Sequence, residues 1–260
     1  ELDAALSASI HKVCQKEGVT LFMFLLSAFK VLLSRYSGQE DICVGSSIAN
    51  RTQSELEGMI GFFVNTLALR SNVVSTSSFK ALLDDVKTTT LAGYDHQLVP
   101  FEKVVDRVVK TRDMSMTPLF QVMFDLQNTS KGDDVYLDLG DVKVSSYDHT
   151  SGTSQFDLTL NAEEIDGVIV LDMEYCSALF DGSTIERMLV HYQELLHSVV
   201  NNIDQQIGSI SILPVGEREQ LLSGFNATAV AYPLEKTVVD LFTSQVALTP
   251  EATALVFEGV

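Results

Sequence analysis

The segment YDHTSGTSQFD (147–157) gathers Asp148, His149, Ser151, Ser154 and Asp157 within one short stretch. A hydroxyl, an imidazole and a carboxylate are the parts of an acyl-transfer triad, in which the imidazole activates the nucleophile and the acid orients the imidazole. Such parts are brought together by the fold from separate elements. Their adjacency here reads as a glycine-containing turn between strands, with His149 and Ser154 kept as minor candidates. A different chemistry is raised by IGFFVNTLALR (60–70), where every position suits a buried or half-buried strand except Asn65. A carboxamide buried without partners costs about 1–3 kcal/mol. Asn65 therefore needs either a neighbouring backbone or a cavity whose occupant bonds it.

The remaining histidines offer less. His191 and His197 lie six apart on one helical stretch, which is not a metal-ligating spacing on one face, and read as surface or half-buried helix residues, as does His11 beside Lys12 in the opening helix. No metal site is expected. The motifs GxSxG, GxGxxG and HExxH and the Walker phosphate loop do not occur in these 260 residues. Cys14, Cys43 and Cys176 are an odd number with no CxxC spacing, which fits reduced thiols in a cytoplasmic protein.

Seventeen basic against thirty-five acidic residues give a formal net charge of −18. Nucleic acid is excluded as an expected partner because phosphate binding needs clustered Lys and Arg, and an anionic membrane surface would repel the chain. The most apolar stretch, LFMFLLSAFKVLL, is broken by Ser27 and Lys30 and is too short to span a bilayer.

The elements that must position these residues follow from periodicity. Leu6, Ile10, Val13 and Cys14 mark an opening helix stopped at Gly18; Thr20 caps a second that runs to about Tyr36 and ends at Gly38. DICVGSSIA and GFFVNTLALR read as strands. Phe79, Leu82, Leu83 and Val86 give a helix, and another follows Pro100. PLFQVMFDLQ, residues 135–147, QFDLTLNAEE and GVIVLDMEYC read as further strands, the last two alternating with one buried face each. A capping box at Ser183–Glu186 opens a helix with an apolar stripe from Ile185 to Val199. Helices and strands without strict alternation predict an α+β or mixed α/β fold, a mixed β-sheet covered by helices. A composition shift across 213–233 suggests a boundary. The expected division is a domain over 1–213, a linker over 214–228 and a fragment over 229–260.

Four stretches in fixed order carry a resemblance: IGFFVNTLALR, YDHQLVPFEKVV (94–105), RDMSMTPLFQVMF (112–124) and YCSALFDGSTIERM (175–188). Together they resemble the C-terminal lobe of a condensation domain of nonribosomal peptide synthetases. GFNATAVAYPLEKTVVDLF with TPEATALVFEG is similar to the linker and opening of an adenylation domain. Met116 and Thr117 stand where the family has Arg and Asn in RDxSRNPL, so any ion pair made by that guanidinium is absent. The family's catalytic HHxxxDG motif does not occur here and would lie upstream of Glu1.

The resemblance implies a chloramphenicol-acetyltransferase-like lobe and amide formation between carrier-bound donor and acceptor thioesters. The implied partners are carrier (thiolation) domains with phosphopantetheine arms, an N-terminal condensation lobe and the adenylation domain. Asn65, Thr66 and Asn128 would line the substrate tunnel. Pro100 and Phe101 would anchor a loop, and Glu102 and Arg112 would form ion pairs. Rival readings are an epimerisation domain or a coenzyme A-dependent acyltransferase of the same superfamily, and a non-catalytic scaffold that binds carrier domains.

Overall fold

The computed structural model describes residues 1–111, 113, 116–127, 152–231 and 233–257. They form two compact units, Glu1–Pro214 and Val215–Val260. Residues 135–147, read as a strand above, lie outside the described residues, as do Asn128, His149 and Arg112.

The first unit is built on a five-stranded sheet in the order β2-β1-β3-β4-β5. Its strands are β1 (Asp41–Ile48), β2 (Asn65–Asn72), β3 (Val122–Gln127), β4 (Leu158–Ile165) and β5 (Val168–Tyr175). The outer pairs are antiparallel and the inner pairings of β3 are parallel, so the sheet is mixed. An Asp166-Gly167 turn with positive φ at both residues joins β4 to β5, the backbone that a two-residue hairpin of matching twist requires.

Four long helices cover one face: α1 (Ala4–Glu17), α2 (Leu21–Ser37), α4 (Phe79–Asp95) and α6 (Gly182–Asn201), while the short α3 (Ser54–Glu57) and α5 (Phe101–Val108) lie in connections. Their ends follow local chemistry. The Asp3 and Thr20 side chains accept from Leu6 and Met23 N–H, and Gly18 and Gly38 end α1 and α2 with φ of 62° and 69°. An L side chain is strained there and glycine is not. The core joins α2 (Phe24, Leu25, Phe29, Leu32) to Val44, Leu69, Phe124, Leu160 and Ile169 of the sheet and to Tyr192, Leu195 and Leu196 of α6. Within the core Tyr192 gives its hydroxyl proton to Leu25 O at 2.8 Å, so no polar atom of that ring is left unpaired.

Three expectations are corrected. The strand read from residue 61 begins at Asn65; Ile60, Phe62 and Val64 are exposed in the loop before it, because no strand pairs with them. The capping box at Ser183 is not formed: α6 starts at Gly182 behind Asp181, and no side chain caps it. His191, read as a surface or half-buried helix residue, is buried, with Nδ1 2.7 Å from the Tyr36 hydroxyl.

In the second unit α7 (Val215–Glu219) runs into a π-helical turn over Gln220–Gly224, and α8 (Val238–Leu248) opens with a capping box between Thr237 and Asp240. Among the described residues no single helix is long and apolar enough to cross a membrane.

Candidate functional site

Strand alternation sends Ile42, Val44 and Ser46 of β1 and Leu69 and Leu67 of β2 toward the helices, together with Asn65. Thr66 points to the opposite face. Asn65 is held there by the chain itself. Its Nδ2 donates to the carbonyls of Gln97 and Val99, both at 2.8 Å, and its Oδ1 accepts from Phe101 N–H at 3.1 Å. Both amide hydrogens are thus committed to backbone, and the carboxamide fastens the 97–101 turn to the start of β2. Of the two partners required by the sequence, the neighbouring backbone is the one seen.

The clamp has a consequence for the next element. By holding Phe101 N–H it fixes the first residue of α5, whose Phe101 and Val105 form one wall of a cleft of about 460 Å³. The other wall is Met116, Thr117, Pro118, Leu119 and Gln121. Leu119 has φ +71°, a conformation unusual for a bulky side chain. The Thr117 side chain spans the turn at 2.5 Å to Phe120 O.

On the face turned away from the long helices, register aligns one polar residue on each strand: Thr66, Ser47, Asp125, Asn161 and Asp172. The link from β1 to β3 is explicit. Asp125 Oδ1 accepts from Ser47 N–H at 2.8 Å and from Ser47 Oγ at 2.7 Å. This is needed because β1 and β3 pair only at Gly45↔Met123. Beside that pairing the Phe120 ring lies on Gly45, and a Cβ at Gly45 would overlap the ring and the Met123 sulfur. Phe120 stacks in turn with Phe101 at 5.4 Å and Phe156 at 5.8 Å between centroids. The row is half-buried to exposed and offers hydroxyl, carboxylate and carboxamide groups side by side. Such a row can exchange hydrogen bonds with an amide-bearing chain laid across the strands. It contains no histidine.

Ser154 donates its hydroxyl to Phe156 O, a local turn bond rather than a nucleophile–base contact. Among the described residues no group of three or more His, Cys, Asp and Glu could hold a metal ion. Burial pushes the Cys14 thiol up to about 12, which keeps it protonated and inert. Of the polar row the sequence reading named Thr66 alone. The row as a whole could have been found only by knowing the strand register, which places residues from five distant segments on one line.

Comparison with known proteins bears on the family and the fold. A condensation domain model matches residues 1–222. Tyrocidine synthase 3 of Brevibacillus parabrevis is 43% identical over 259 residues, which is 100% of this chain and 4% of that protein. The crystal structure of holo-AB3403, a four-domain nonribosomal peptide synthetase bound to AMP and glycine, superposes with TM-score 0.76 at 24% identity. The superposition covers 84% of this chain and 17% of that one. The condensation domain from the monacolin K polyketide synthase MokA gives TM-score 0.68 at 24% identity, over 79% of this chain and 47% of that chain. The sheet with helices on one face is the fold these structures share, an α+β fold. Matched by the family model along most of its length and by a synthetase relative along all of it, the chain belongs to the condensation domains of nonribosomal peptide synthetases.

Proposed function

We propose that residues 1–213 are the C-terminal lobe of a condensation domain that joins a carrier-bound donor thioester to a carrier-bound acceptor amine. In that reaction the amine nitrogen attacks the thioester carbonyl, the C–N bond forms, the C–S bond breaks, and the departing thiolate takes up a proton. By the resemblance, the catalytic histidine belongs to an HHxxxDG motif that lies outside these residues. The part of the present residues is to bind and orient, which can account for a large share of a barrier by removing translational freedom.

The observation that carries this reading is the polar row on the face turned away from the long helices, in a chain of this family. Phosphopantetheine arms and aminoacyl groups are rich in amides and hydroxyls. Thr66 and Asn161 can donate to their carbonyls, Ser47 Oγ, whose hydrogen goes to Asp125, can accept, and Asp125 and Asp172 can accept from their N–H groups. Asn65 contributes at one remove, by holding the 97–101 turn and α5 in place. Asn128, directly after β3, stands as a further lining residue on the resemblance alone. Residues 229–260 are read as the opening of an adenylation domain, and carrier domains as the partners, because the relative matched along the whole chain is a much longer synthetase.

The test uses the intact synthetase with donor- and acceptor-loaded carrier domains. Single-turnover amide formation is expected, falling about tenfold or more in Thr66→Val and Asp125→Asn while the melting transition stays within a few degrees. Turnover unchanged in both folded variants would remove the row from the reaction. Absence of amide product from the unmodified protein would remove the reaction itself.

A further inference from the structure

The pairing of β1 with β3 at Gly45↔Met123 does not extend toward the start of either strand, and a cleft of about 450 Å³ opens there. Asp41 and Cys43 line it from β1, Gln121 and Val122 from the beginning of β3, and Asp157 and Leu158 from the beginning of β4. The last turns of α2 and the first turns of α6 close it with Leu33 and Met188. None of the five residues of the polar row lines this cleft. Its size lies within the range of about 300–1,000 Å³ in which small molecules are held.

The lining joins an apolar wall to hydrogen-bond acceptors that lack donors. Leu33, Ile42, Val122, Leu158, Phe180 and Met188 form the wall, and among the described residues no Lys, Arg or His lines the cleft. Of its two carboxylates, that of Asp41 is committed to Arg70, at 2.7 Å from Nε and 2.6 Å from Nη2. Asp157 is different. Its main chain is fixed on both sides, with N–H on Gln121 O at 3.1 Å and its carbonyl accepting from Cys176 N–H at 3.0 Å. Among the described residues no donor meets its half-buried carboxylate. Gln121 spends Nε2 on Thr117 O at 2.9 Å, which leaves Oε1 able to accept. Ser47 N–H is turned toward β3, where it meets Asp125, and alternation turns the main chain of Cys43 the same way. At Cys43 there is no β3 pairing, so its carbonyl ends at the cleft.

We propose that this cleft is a binding site for a small primary amine carried on an apolar body. An ammonium has three N–H donors and no acceptor. The cleft answers with three acceptors, the Asp157 carboxylate, Gln121 Oε1 and Cys43 O, and the apolar wall receives the body. A carboxylate or phosphate ligand of the same size meets no cationic side chain there and is repelled by Asp157, in a chain of formal charge −18. The helix ends do not alter that sign, because α2 presents its C-terminal end and α6 its N-terminal end, and the two fields offset. A ligand seated here touches both β1 and β3 where their own pairing is missing, so it braces the weak join of the sheet and stabilises the fold by mass action.

The experiment measures binding to the full-length protein by equilibrium dialysis at neutral pH, with three probes that share one body and differ in the head group: 2-phenylethylamine, 2-phenylethanol and phenylacetate. The amine is expected to bind about tenfold or more tightly than the alcohol, and phenylacetate not to bind. The site is located by alkylating the protein with iodoacetamide and following each cysteine by peptide mass spectrometry. Saturating amine should slow labelling of Cys43, which lines the cleft, and leave Cys176, which does not, at its own rate. Asp157→Asn keeps the shape and removes the charge, so its affinity for the amine should fall to that for the alcohol, with the alcohol unchanged. Thr184→Phe, which puts a ring into the cleft, should abolish binding of both while the melting transition stays within a few degrees. Equal affinity for all three probes, preference for phenylacetate, or no binding of the amine would overturn the proposal. So would an unchanged rate at Cys43 under saturating amine, or wild-type affinity for the amine in Asp157→Asn.

Discussion

Asn65 and Lys30 are polar side chains whose surroundings are set by backbone and burial. For Asn65, truncation to Ala leaves the carbonyls of Gln97 and Val99 and the N–H of Phe101 to find new partners. The expected cost is about 1–3 kcal/mol, read as a lower urea midpoint with an unchanged m-value. Asn65→Asp should cost as much, because a carboxylate can still accept from Phe101 but faces two carbonyl oxygens it cannot bond. A variant at wild-type stability would show that the clamp is not holding the turn. Lys30 is fully buried on α2, and the hydrogen bond at its Nζ is to Ser71 Oγ at 2.8 Å. Burial pushes its ammonium down to about 8, with Cys43 and Asp85 opposing the shift.

The sign for Lys30 follows from linkage. Below pH 8 both the folded and the unfolded chain carry the proton, and the folded state bears the net cost of the shift, about 3 kcal/mol. Between pH 8 and the ordinary lysine value of 10.5 the unfolded chain holds more protons than the folded one, so this contribution to stability rises with pH. Cys14 acts in the other direction above its ordinary value of 9.0, since only the unfolded thiol then ionises. The two are separated by comparing wild type with Lys30→Met in urea at pH 7 and pH 9. Met should be the more stable at pH 7, less whatever the unpaired Ser71 hydroxyl loses, and its advantage should shrink at pH 9. An advantage independent of pH would mean that Lys30 keeps its proton in the fold across this range and that burial does not push its ammonium down.

At the scale of elements the weak join of the sheet is β1 to β3, paired at Gly45↔Met123 and reinforced by Asp125 on Ser47. Gly45→Ala pushes a methyl into the Phe120 ring and the Met123 sulfur, and overpacking of this kind costs about 1–3 kcal/mol. Phe120→Leu in the same chain should recover part of that loss, giving a favourable coupling energy in a double-mutant cycle. Strictly additive costs would show that the ring is not what Gly45 accommodates. Much of this layer was legible in sequence. The Thr20 cap, the Gly18 and Gly38 stops and the two alternating strands β4 and β5 all rest on local rules, and local rules need only neighbours in the chain. The start of β2 was misplaced because apolar content was read as burial, while Ile60 and Phe62 project outward. The partner of Asn65 was named in kind, a neighbouring backbone, but the turn at 97–101 lies some thirty residues away, and no local rule supplies contacts at that range. The polar row needed the register of five strands, which sequence patterns constrain only pair by pair.

At the scale of the whole molecule, sequence pattern and packing draw the boundary at different places. The condensation domain model runs to residue 222, whereas the compact first unit closes at Pro214. Residues 215–222, comprising α7 and the start of the π-helical turn, are therefore part of the family pattern without being part of the lobe's packing. The last ordered packing of the lobe before that point comes from Ile203, Ile207 and Ile210, which join the core, and from Arg35, whose Nη2 holds the carbonyls of Ile207 and Gly208 at 2.8 Å each. The second unit is shorter than the roughly 60 residues at which a domain becomes marginal by itself. Limited proteolysis should accordingly cut first after Pro214 and leave a resistant fragment of the first unit. A chain ending at Pro214 should melt within a few degrees of the longer one, because core packing is untouched. A chain ending at Ile203 should lose the Arg35 bonds and two buried isoleucines, each worth about 1.5–3 kcal/mol when fully buried, and melt far lower. If instead the chain ending at Pro214 were as unstable as the shorter one, residues 215–222 would belong to the lobe energetically as they do by family pattern, and the boundary would move to 222.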